Sequence, residues 1–298
     1  MELKQNFEPR HGELVQLSKQ VARITAPNGG PFTFHGTNTY LIGTESVAII
    51  DPGPVIESHI EAIKAAVGER PVSHIIVTHT HADHSPATRI LAPHYRTAIY
   101  GEGIHRAARD LSPGETNPLD ASADRDFKPD VTLRNGEIIA GENWTLEAIR
   151  TPGHTANHLA FALREENVLL SGDHVMAWST SIVAPPDGSM SDFMNSLDVL
   201  LARDEQTFFP GHGGRVENPA KFMRGLKTHR LMREASILER LKAGDRTIRD
   251  MVKVMYAGVN PVLHGAAGFS VLAHLEDLVA RGLVRSEGPP TINGIYNL

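Results

Sequence analysis

The sequence predicts a layered α/β fold followed by a small helical domain, and three observations support this prediction. Short β-branched runs typical of buried strands recur along the first 210 residues. Several of these runs end in polar turns that carry histidine or aspartate. From about residue 218 the pattern becomes helical and ends in a short β-rich stretch. Since strand ends along one edge of a layered sheet come together, we expect the polar turns to form one ligand site.

The composition limits the class of protein. The chain has 298 residues, which suits one large and one small domain, and its 41% hydrophobic content is enough for a full core. No apolar run approaches the length of a membrane span, and the polar N-terminus lacks the apolar stretch of a signal peptide. The absence of cysteine excludes disulfides, cysteine zinc fingers and cysteine nucleophiles. We therefore expect a cytoplasmic protein, without membrane contact, that binds any metal through nitrogen and oxygen.

The first hundred residues predict strands interrupted by two helices. Strands are expected within 14–24 and at 39–42, 47–50 and 75–77, and helices at 59–67 and 85–92. The strand at 47–50 ends at Asp51, and the strand at 75–77 runs into the sequence Thr78-His79-Thr80-His81-Ala82-Asp83-His84.

The second part of the predicted sheet repeats this arrangement three times. Residues 101–130 have the composition of a long surface loop. Strands expected at 145–150, 168–170 and 207–209 then run into turns carrying His154, Asp173 and His212. One strand ending in such a turn is weak evidence for a site, but four are not plausibly coincidence.

The C-terminal part predicts three helices and a β-ribbon, the pattern of a winged helix-turn-helix. Helices are expected over 220–243, 247–256 and about 261–281, the last with a break at Gly265 or Gly268, and a hairpin over 282–296. We place the domain boundary after residue 218, giving an α/β domain over 1–218 that carries the four polar turns and a winged-helix-like domain over 219–298. Residues 221–298 hold 12 Lys and Arg against 7 Asp and Glu, a balance of +5 in a chain whose net charge is −6.

The four turns provide ligands for two cations. His79, His81 and His154 are predicted for the first ion, and Asp83, His84 and His212 for the second, with Asp173 between them. Imidazole and carboxylate ligands suit zinc foremost, with manganese or iron as alternatives, and do not suit a calcium-type oxygen cage. Two such ions lower the pKa of a shared water toward about 7. Asp83 has a second predicted role, because a carboxylate beside that water can take its proton.

Other polar residues near these turns are candidates for supporting roles. Asp51 is expected to hold a histidine ligand in one tautomer. His158 and His174 lie close to ligands in sequence, with an ordinary buried histidine as the alternative for each. Asn157, Asp187 and Ser85 are polar at the same predicted edge and are candidates for contact with substrate.

Together these motifs resemble the metallo-β-lactamase superfamily. The resemblance rests on residues 78–84, Thr151-Pro152-Gly153-His154-Thr155, Ser171-Gly172-Asp173 and Pro210-Gly211-His212-Gly213, and it covers roughly residues 12–215. It implies an αββα sandwich with a dinuclear metal site at the edge of two sheets, held by the seven ligands above. Residues 31–41 and 185–190 resemble more closely the beta-lactamase-like protein 2 group, which carries a C-terminal winged helix and includes single-strand-specific endoribonucleases.

Two classes of function follow from this resemblance, because the motif determines the machinery and not the substrate. The preferred expectation is a hydrolase of single-stranded RNA or a related phosphodiester, with the basic tail holding phosphates. A thioester hydrolase resembling glyoxalase II, or a lactone hydrolase, is the enzymatic alternative. The other class is a non-catalytic nucleic-acid-binding protein on the same scaffold.

The tail itself has two alternative roles. If it holds RNA, Arg224, Arg230 and Arg233 are expected to contact phosphates, and a fragment ending near Pro219 should keep its metals. If it forms a homodimer instead, apolar residues such as Leu272 and Leu275 are expected at the contact.

Overall fold

The computed structural model describes residues 2–112, 115, 117 and 122–298, and its strands form two large β-sheets and a short ribbon. The first sheet has the order β1-β2-β3-β4-β5-β6-β7. Its strands are β1 (Val15–Gln16), β2 (Val21–Thr25), β3 (Asn38–Ile42), β4 (Val47–Ile50), β5 (Val72–Ile76), β6 (Ile99–Gly101) and β7 (Val131–Thr132). Strands β1 to β4 are antiparallel neighbours, whereas β4 to β7 are parallel.

The second sheet has the order β13-β12-β11-β10-β9-β8. Its strands in chain order are β8 (Ile138–Ala140), β9 (Thr145–Arg150), β10 (Leu159–Leu163), β11 (Val168–Gly172), β12 (Thr207–Pro210) and β13 (Val216–Glu217). Only β11 and β12 are parallel among the neighbouring pairs recorded for this sheet in the described chain.

Six α-helices and a terminal ribbon complete the described fold. The helices are α1 (Glu57–Val67), α2 (Thr88–Tyr95), α3 (Met190–Leu201), α4 (Pro219–Lys242), α5 (Ile248–Met255) and α6 (His264–Ala280). The ribbon pairs β14 (Arg285–Ser286) with β15 (Tyr296–Asn297) in antiparallel fashion. In the part of the chain that the structure describes, no helix has the length and hydrophobicity needed to cross a membrane.

The two sheets face each other, and helices cover both outer faces, which confirms the αββα layering. Ile50 and Ile76 point into the core between the sheets, where they pack with residues such as Phe161. Their neighbours Ile49 and Ile75 point the other way, into the layer formed with α1 and α2. Because successive side chains alternate across a strand and both faces are buried, these strands read as continuous apolar runs.

The outer face of the second sheet is covered by α3 and by the first half of α4. Phe193 and Leu197 of α3 pack there together with Met223 and Leu226 of α4. The second half of α4 belongs to a separate core with α5, α6 and the ribbon, which contains Ile237. The boundary between the two cores therefore falls inside α4, whereas the domain boundary after residue 218 stays a prediction.

Several element predictions need correction. Helix α2 begins at Thr88, three residues later than expected, because Ser85 still belongs to the turn and accepts the Thr88 backbone N–H at 3.0 Å. Helix α6 continues through Gly265 and Gly268 without a break. Strand β10 and helix α3 were not predicted. Residues 113, 114, 116 and 118–121 of the expected surface loop lie outside the described residues.

Two expectations about the tail are wrong. Leu272 and Leu275 are 1% and 0% exposed and lie in the core of the C-terminal domain, so neither can form a dimer contact. Arg230 is 3% exposed and cannot contact a phosphate of a bound strand. Both corrections have the same cause, because α4 and α6 bury more of their surface against neighbouring helices and the second sheet than their sequences indicate.

Candidate metal centre

Histidine and aspartate side chains from both sheets converge at one edge of the sandwich. In the first sheet β4 and β5 are parallel, so Asp51 and the turn 78–84 follow neighbouring strand ends. In the second sheet β9, β11 and β12 run in the same direction, since β9 and β11 are each antiparallel to β10 between them. His154, Asp173 and His212 therefore emerge at one end of that sheet. The site lies between two sheets, whereas the positions of the predicted strand ends indicated a site along the edge of a single sheet.

The first group of ligand atoms is a triangle of nitrogens. His81 Nδ1 lies 3.0 Å from His79 Nε2 and 3.0 Å from His154 Nε2. The three residues form one of the groups whose ligand atoms all lie within 4.8 Å of one another. Because His81 Nδ1 carries at most one proton, it can donate a hydrogen bond to only one of these two nitrogens. A cation between the three lone pairs resolves this arrangement.

Hydrogen bonds on the far side of two of these rings orient their lone pairs inward. His154 Nδ1 donates to the carbonyl oxygen of Ile182 at 2.7 Å. His79 Nδ1 lies 3.0 Å from Thr78 Oγ1, which itself donates to Asp51 Oδ2 and therefore accepts from the ring. These partners assign the proton of each ring to Nδ1 and leave Nε2 free to bind a cation.

The second group consists of a carboxylate and two imidazoles. Asp83 Oδ2 lies 3.2 Å from His84 Nε2 and 3.2 Å from His212 Nε2. The outward nitrogens are again occupied, because His84 Nδ1 donates to Asp51 Oδ2 at 2.9 Å and His212 Nδ1 donates to the Gly36 carbonyl at 3.1 Å. Both Nε2 atoms consequently face the same point as the carboxylate.

Asp173 lies between the two groups. Its Oδ2 is 3.6 Å from His154 Nε2 in the first group, and 3.7 Å and 3.3 Å from His84 Nε2 and His212 Nε2 in the second. Its Oδ1 is buried and finds no hydrogen-bond partner within the described residues. This position suits a carboxylate shared by two ions.

The electrostatics differ between the groups. Burial and the neighbouring His154 lower the pKa of His81 to about 3, and burial with nearby imidazoles holds the pKa of His79 well below its ordinary value. For His212 burial also acts downward, but the charges of Asp173 and Asp83 outweigh it and raise the pKa to about 10. The first group is therefore neutral at neutral pH, and His212 carries a proton that a bound cation must displace.

The donor set fits divalent transition-metal ions. It consists of imidazole nitrogens and carboxylate oxygens, is nearly enclosed, and has Asp173 Oδ2 between its two groups. Such a set matches zinc, manganese or iron and does not resemble the all-oxygen cages that bind calcium.

Two of the other candidates are buried and hydrogen-bond to residues in the turns that carry the predicted ligands. His158 Nδ1 lies 2.8 Å from Thr151 Oγ1, and its Nε2 accepts the backbone N–H of Asp173 at 3.1 Å. Asn157 is 2% exposed and donates to Thr80 Oγ1 at 2.8 Å. His158 therefore fixes the backbone of Asp173, and Asn157 holds the side chain of Thr80 between His79 and His81.

The remaining candidates lie further out. Ser85 is fully buried and donates to Asp124 Oδ2 at 2.6 Å. Asp187 is fully buried, accepts from Asn117 at 2.6 Å and lies 3.3 Å from His105 Nε2. His174 packs against the ring of Phe193 and joins none of the ligand groups found in the described residues.

The structure also adds residues that the sequence analysis missed. Thr37 Oγ1 donates to Asp83 Oδ2 at 2.9 Å, and the carbonyls of Gly36 and Ile182 orient two ligand rings. No spacing in the sequence indicates these contacts, because they join segments that are distant along the chain.

A cavity of about 280 Å³ lies beside the ligand turn. His105 lines it and is joined to that turn, since its Nδ1 lies 3.0 Å from Thr80 Oγ1. Arg125 lines it as well, next to Asp124, whose backbone N–H donates to the Thr80 carbonyl at 2.8 Å. The residues around the cavity thus contact Thr80, which lies between His79 and His81 in the chain, whereas Asp83, whose side chain is 25% exposed, opens the second group to solvent.

Comparisons with known families agree with both domains. The family described as "Metallo-beta-lactamase superfamily" matches residues 32–212, and the "Beta-lactamase associated winged helix domain" matches residues 247–289.

Similar proteins cover nearly the whole chain. The Beta-lactamase-like protein 2 homolog of Caenorhabditis elegans is 30% identical over 282 residues, which is 92% of this chain and 88% of that protein. An atrochrysone carboxyl ACP thioesterase of Pseudocercospora fijiensis is 30% identical over 83% of this chain and 70% of its own length. Among solved structures, a beta-lactamase domain protein from Burkholderia ambifaria superposes with a TM-score of 0.81 at 20% identity, covering 98% of this chain and 95% of that one.

Proposed function

The chain belongs to the metallo-beta-lactamase superfamily and is a metal-dependent hydrolase, and from this premise we propose that it hydrolyses an acyl thioester at a dinuclear metal centre. In this proposal His79, His81 and His154 hold one ion, Asp83, His84 and His212 hold the other, and Asp173 contacts both.

The apolar wall of the cavity beside the ligand turn carries this proposal. Ile104 and Leu111 line the cavity together with Ala107. Ile104 is 58% exposed and Leu111 is 49% exposed, so both offer apolar surface to a ligand in the cavity. An acyl chain bound against this wall gains about 0.8 kcal/mol for each buried methylene.

The charges around the cavity favour an acyl substrate over a polyanion. Arg106 also lines the cavity, but Glu102 binds its guanidinium through two hydrogen bonds of 2.6 Å. Arg109 is held by Glu115 and Glu276 at 2.7 Å. Guanidiniums that already have carboxylate partners contribute little to the counterion release that drives nucleic-acid binding. This weighs against our expectation from the sequence that the substrate is RNA.

The named activity of a relative points in the same direction. The protein of Pseudocercospora fijiensis that is 30% identical to this chain is named a thioesterase, and further thioesterases are 26–29% identical. A thioester is also more reactive toward water than a phosphodiester, so the same machinery has a smaller barrier to overcome.

In the mechanism, bound divalent ions would polarise the thioester carbonyl and lower the pKa of the attacking water toward about 7. The side chain of Asp83 is more exposed to solvent than that of Asp173, and its Oδ2 accepts a hydrogen bond from the Thr37 hydroxyl at 2.9 Å. That hydrogen bond fixes the carboxylate so that it can take the proton of the attacking water and return it to the leaving sulfur. The products are a carboxylic acid and a thiol.

Single-stranded RNA cleavage is the second candidate. It is favoured by the resemblance of residues 31–41 and 185–190 to the beta-lactamase-like protein 2 group, which includes single-strand-specific endoribonucleases, and by the winged-helix match at residues 247–289. A non-catalytic role is not retained, because the family assignment and the named relatives indicate a hydrolase.

A substrate panel tests the proposal. Metal-loaded protein is incubated with acetyl and octanoyl thioesters of coenzyme A, S-lactoylglutathione, a homoserine lactone, nitrocefin and single-stranded RNA. We expect release of free thiol from the octanoyl thioester, abolished in Asp173→Ala together with most of the bound metal. RNA cleavage without thiol release would overturn the thioester assignment in favour of the second candidate.

A matched pair of variants tests the cavity wall. Ile104→Glu places a charge on the wall, and we expect it to raise KM for the octanoyl thioester about tenfold while leaving acetyl thioester turnover nearly unchanged. Ile138→Glu is the control, since Ile138 is 44% exposed on the edge strand β8 of the second sheet. Equal effects of the two variants would contradict binding of the acyl chain at this wall.

A further inference from the structure

Arg230 is a buried cation in the middle of helix α4. Its side chain is 3% exposed, and its guanidinium lies over the ring of Phe193 in α3, 5.1 Å from the ring centroid. One guanidinium nitrogen donates to the backbone carbonyl of Ser181. Among the residues that the structure describes, no carboxylate forms an ion pair with it.

The segment that Arg230 holds also orients a metal ligand. The carbonyl of Ser181 accepts from Arg230, and the carbonyl of the next residue, Ile182, accepts from His154 Nδ1 at 2.7 Å. The Ser181 hydroxyl donates to the His174 carbonyl at 2.7 Å, which ties the same segment to the residue after Asp173. Two successive carbonyls thus connect a buried guanidinium to the ring of His154.

This arrangement is costly if Arg230 has only a packing role. Burying a cation without an anionic partner costs several kcal/mol, and an apolar side chain of similar volume is often neutral or stabilising at such positions. The π face of Phe193 and one carbonyl compensate this cost only in part. A charge-assisted hydrogen bond is short and strongly directional, however, so it fixes a peptide group more firmly than packing does.

Arg233 lies about one turn further along the same helix and provides a comparison, because its contacts do not include the Ser181–Ile182 segment. Its guanidinium lies 4.6 Å from the ring centroid of Tyr256 and 3.5 Å from the Met255 carbonyl. Both partners belong to the C-terminal domain, and Arg233 itself is half-buried. The two arginines therefore have the same kinds of contact, but only Arg230 contacts a segment that touches a ligand.

We propose that Arg230 is a positioning residue for His154, holding the Ser181–Ile182 segment so that the Ile182 carbonyl fixes the ring of this metal ligand. The inference rests on the proposed metal centre, and it makes helix α4 a component of that centre.

Metal titration of the full-length protein tests this inference. Metal-free wild type, Arg230→Met and Arg233→Met are titrated with Zn²⁺ against a chromophoric chelator. We expect two equivalents to bind to the wild type. In Arg230→Met one equivalent should bind 10- to 100-fold more weakly, the range typical for loss of an outer partner of a ligand, while the other is unchanged. Arg233→Met should match the wild type in both equivalents.

A double-mutant cycle separates positioning from general destabilisation. In a His154→Ala background the ring that Arg230 positions is absent, so adding Arg230→Met should cause no further loss of zinc affinity. A further loss of the same size, or wild-type affinity in Arg230→Met, would overturn the inference.

The remaining outcomes are also decisive. If Arg230→Met does not fold, Arg230→Lys replaces the planar guanidinium with a point charge and should weaken one equivalent about threefold to tenfold. Wild-type affinity in that variant would reject the positioning role. Absence of zinc binding in the wild type would reject the metal centre itself, whereas two equally tight equivalents in wild type and both Arg230 variants would reject the role of Arg230 alone.

Discussion

Substitution of Leu226 by alanine should destabilise the metal-binding domain, although this residue lies in the region that the sequence assigns to a separate tail. Leu226 is on the first half of α4 and is 1% exposed. It packs in one cluster with Phe193 and Leu197 of α3 against the outer face of the second sheet. The same layer contains Val175, two residues beyond Asp173, so a loss of packing here reaches the backbone that presents a predicted ligand.

The expected magnitude follows from this burial. Truncation of a fully buried leucine to alanine costs about 2–5 kcal/mol, because a cavity remains in addition to the lost transfer free energy. This is a large part of a total unfolding free energy of about 5–15 kcal/mol. With about 2–4 °C lost per kcal/mol in a large domain, Tm should fall by roughly 4–20 °C.

The assay is thermal unfolding followed by circular dichroism, combined with the metal content of the purified protein. Leu231→Ala is the control, since Leu231 lies on the same helix but is 49% exposed, and a surface substitution of this kind changes stability by about 0.5 kcal/mol or less. A fall in Tm with partial loss of metal in Leu226→Ala alone is the expected result. If both variants melt like the wild type, or if a fragment ending near Pro219 folds and keeps its metals, the shared core is not significant and the tail is a separable module.

Two further predictions concern the centre itself. Gly211→Ala should reduce metal affinity strongly, because the added Cβ would lie 2.3 Å from Asp173 Oδ1 and 2.7 Å from His84 Cε1. Gly265→Ala is the control, since a Cβ at that position has no atom within 4 Å. A wild-type metal content in Gly211→Ala would contradict the predicted crowding. Binding of the second ion should release protons, because neighbouring carboxylates raise the pKa of His212 to about 10 and that of His84 well above its ordinary value. The sign follows directly, since a ligand protonated below its pKa competes with the metal, so affinity should rise with pH from 6 to 9. Calorimetry in buffers of different ionisation enthalpy measures this release, and a heat independent of buffer would refute it.

The sequence by itself determined the chemistry of the centre and much of the sandwich. Strands at 47–50 and 207–209 were predictable because their apolar runs are largely buried on both faces and end abruptly at polar turns, and the strand at 145–150 because its apolar residues alternate with polar ones before such a turn. The convergence of these histidines and aspartates was predictable for a related reason, since a side chain directly after a buried strand is displayed at the edge of a sheet. The beginning of α2 was predicted less well, because Ser85 and the residues after it complete the ligand turn before the helix begins.

Only the tertiary structure decided which of these elements face each other and which residues surround each charged side chain. Whether strand ends belong to one sheet or two depends on strand order, which local periodicity does not encode. The roles of Arg230 and of the Ile182 carbonyl depend on a contact between α4 and a segment about fifty residues away, so no spacing pattern announces them. The net charge of the tail likewise could not show that one of its arginines is buried. Composition counts charges, but burial and partners decide what a charge does, and both arise from packing between segments that are remote in sequence.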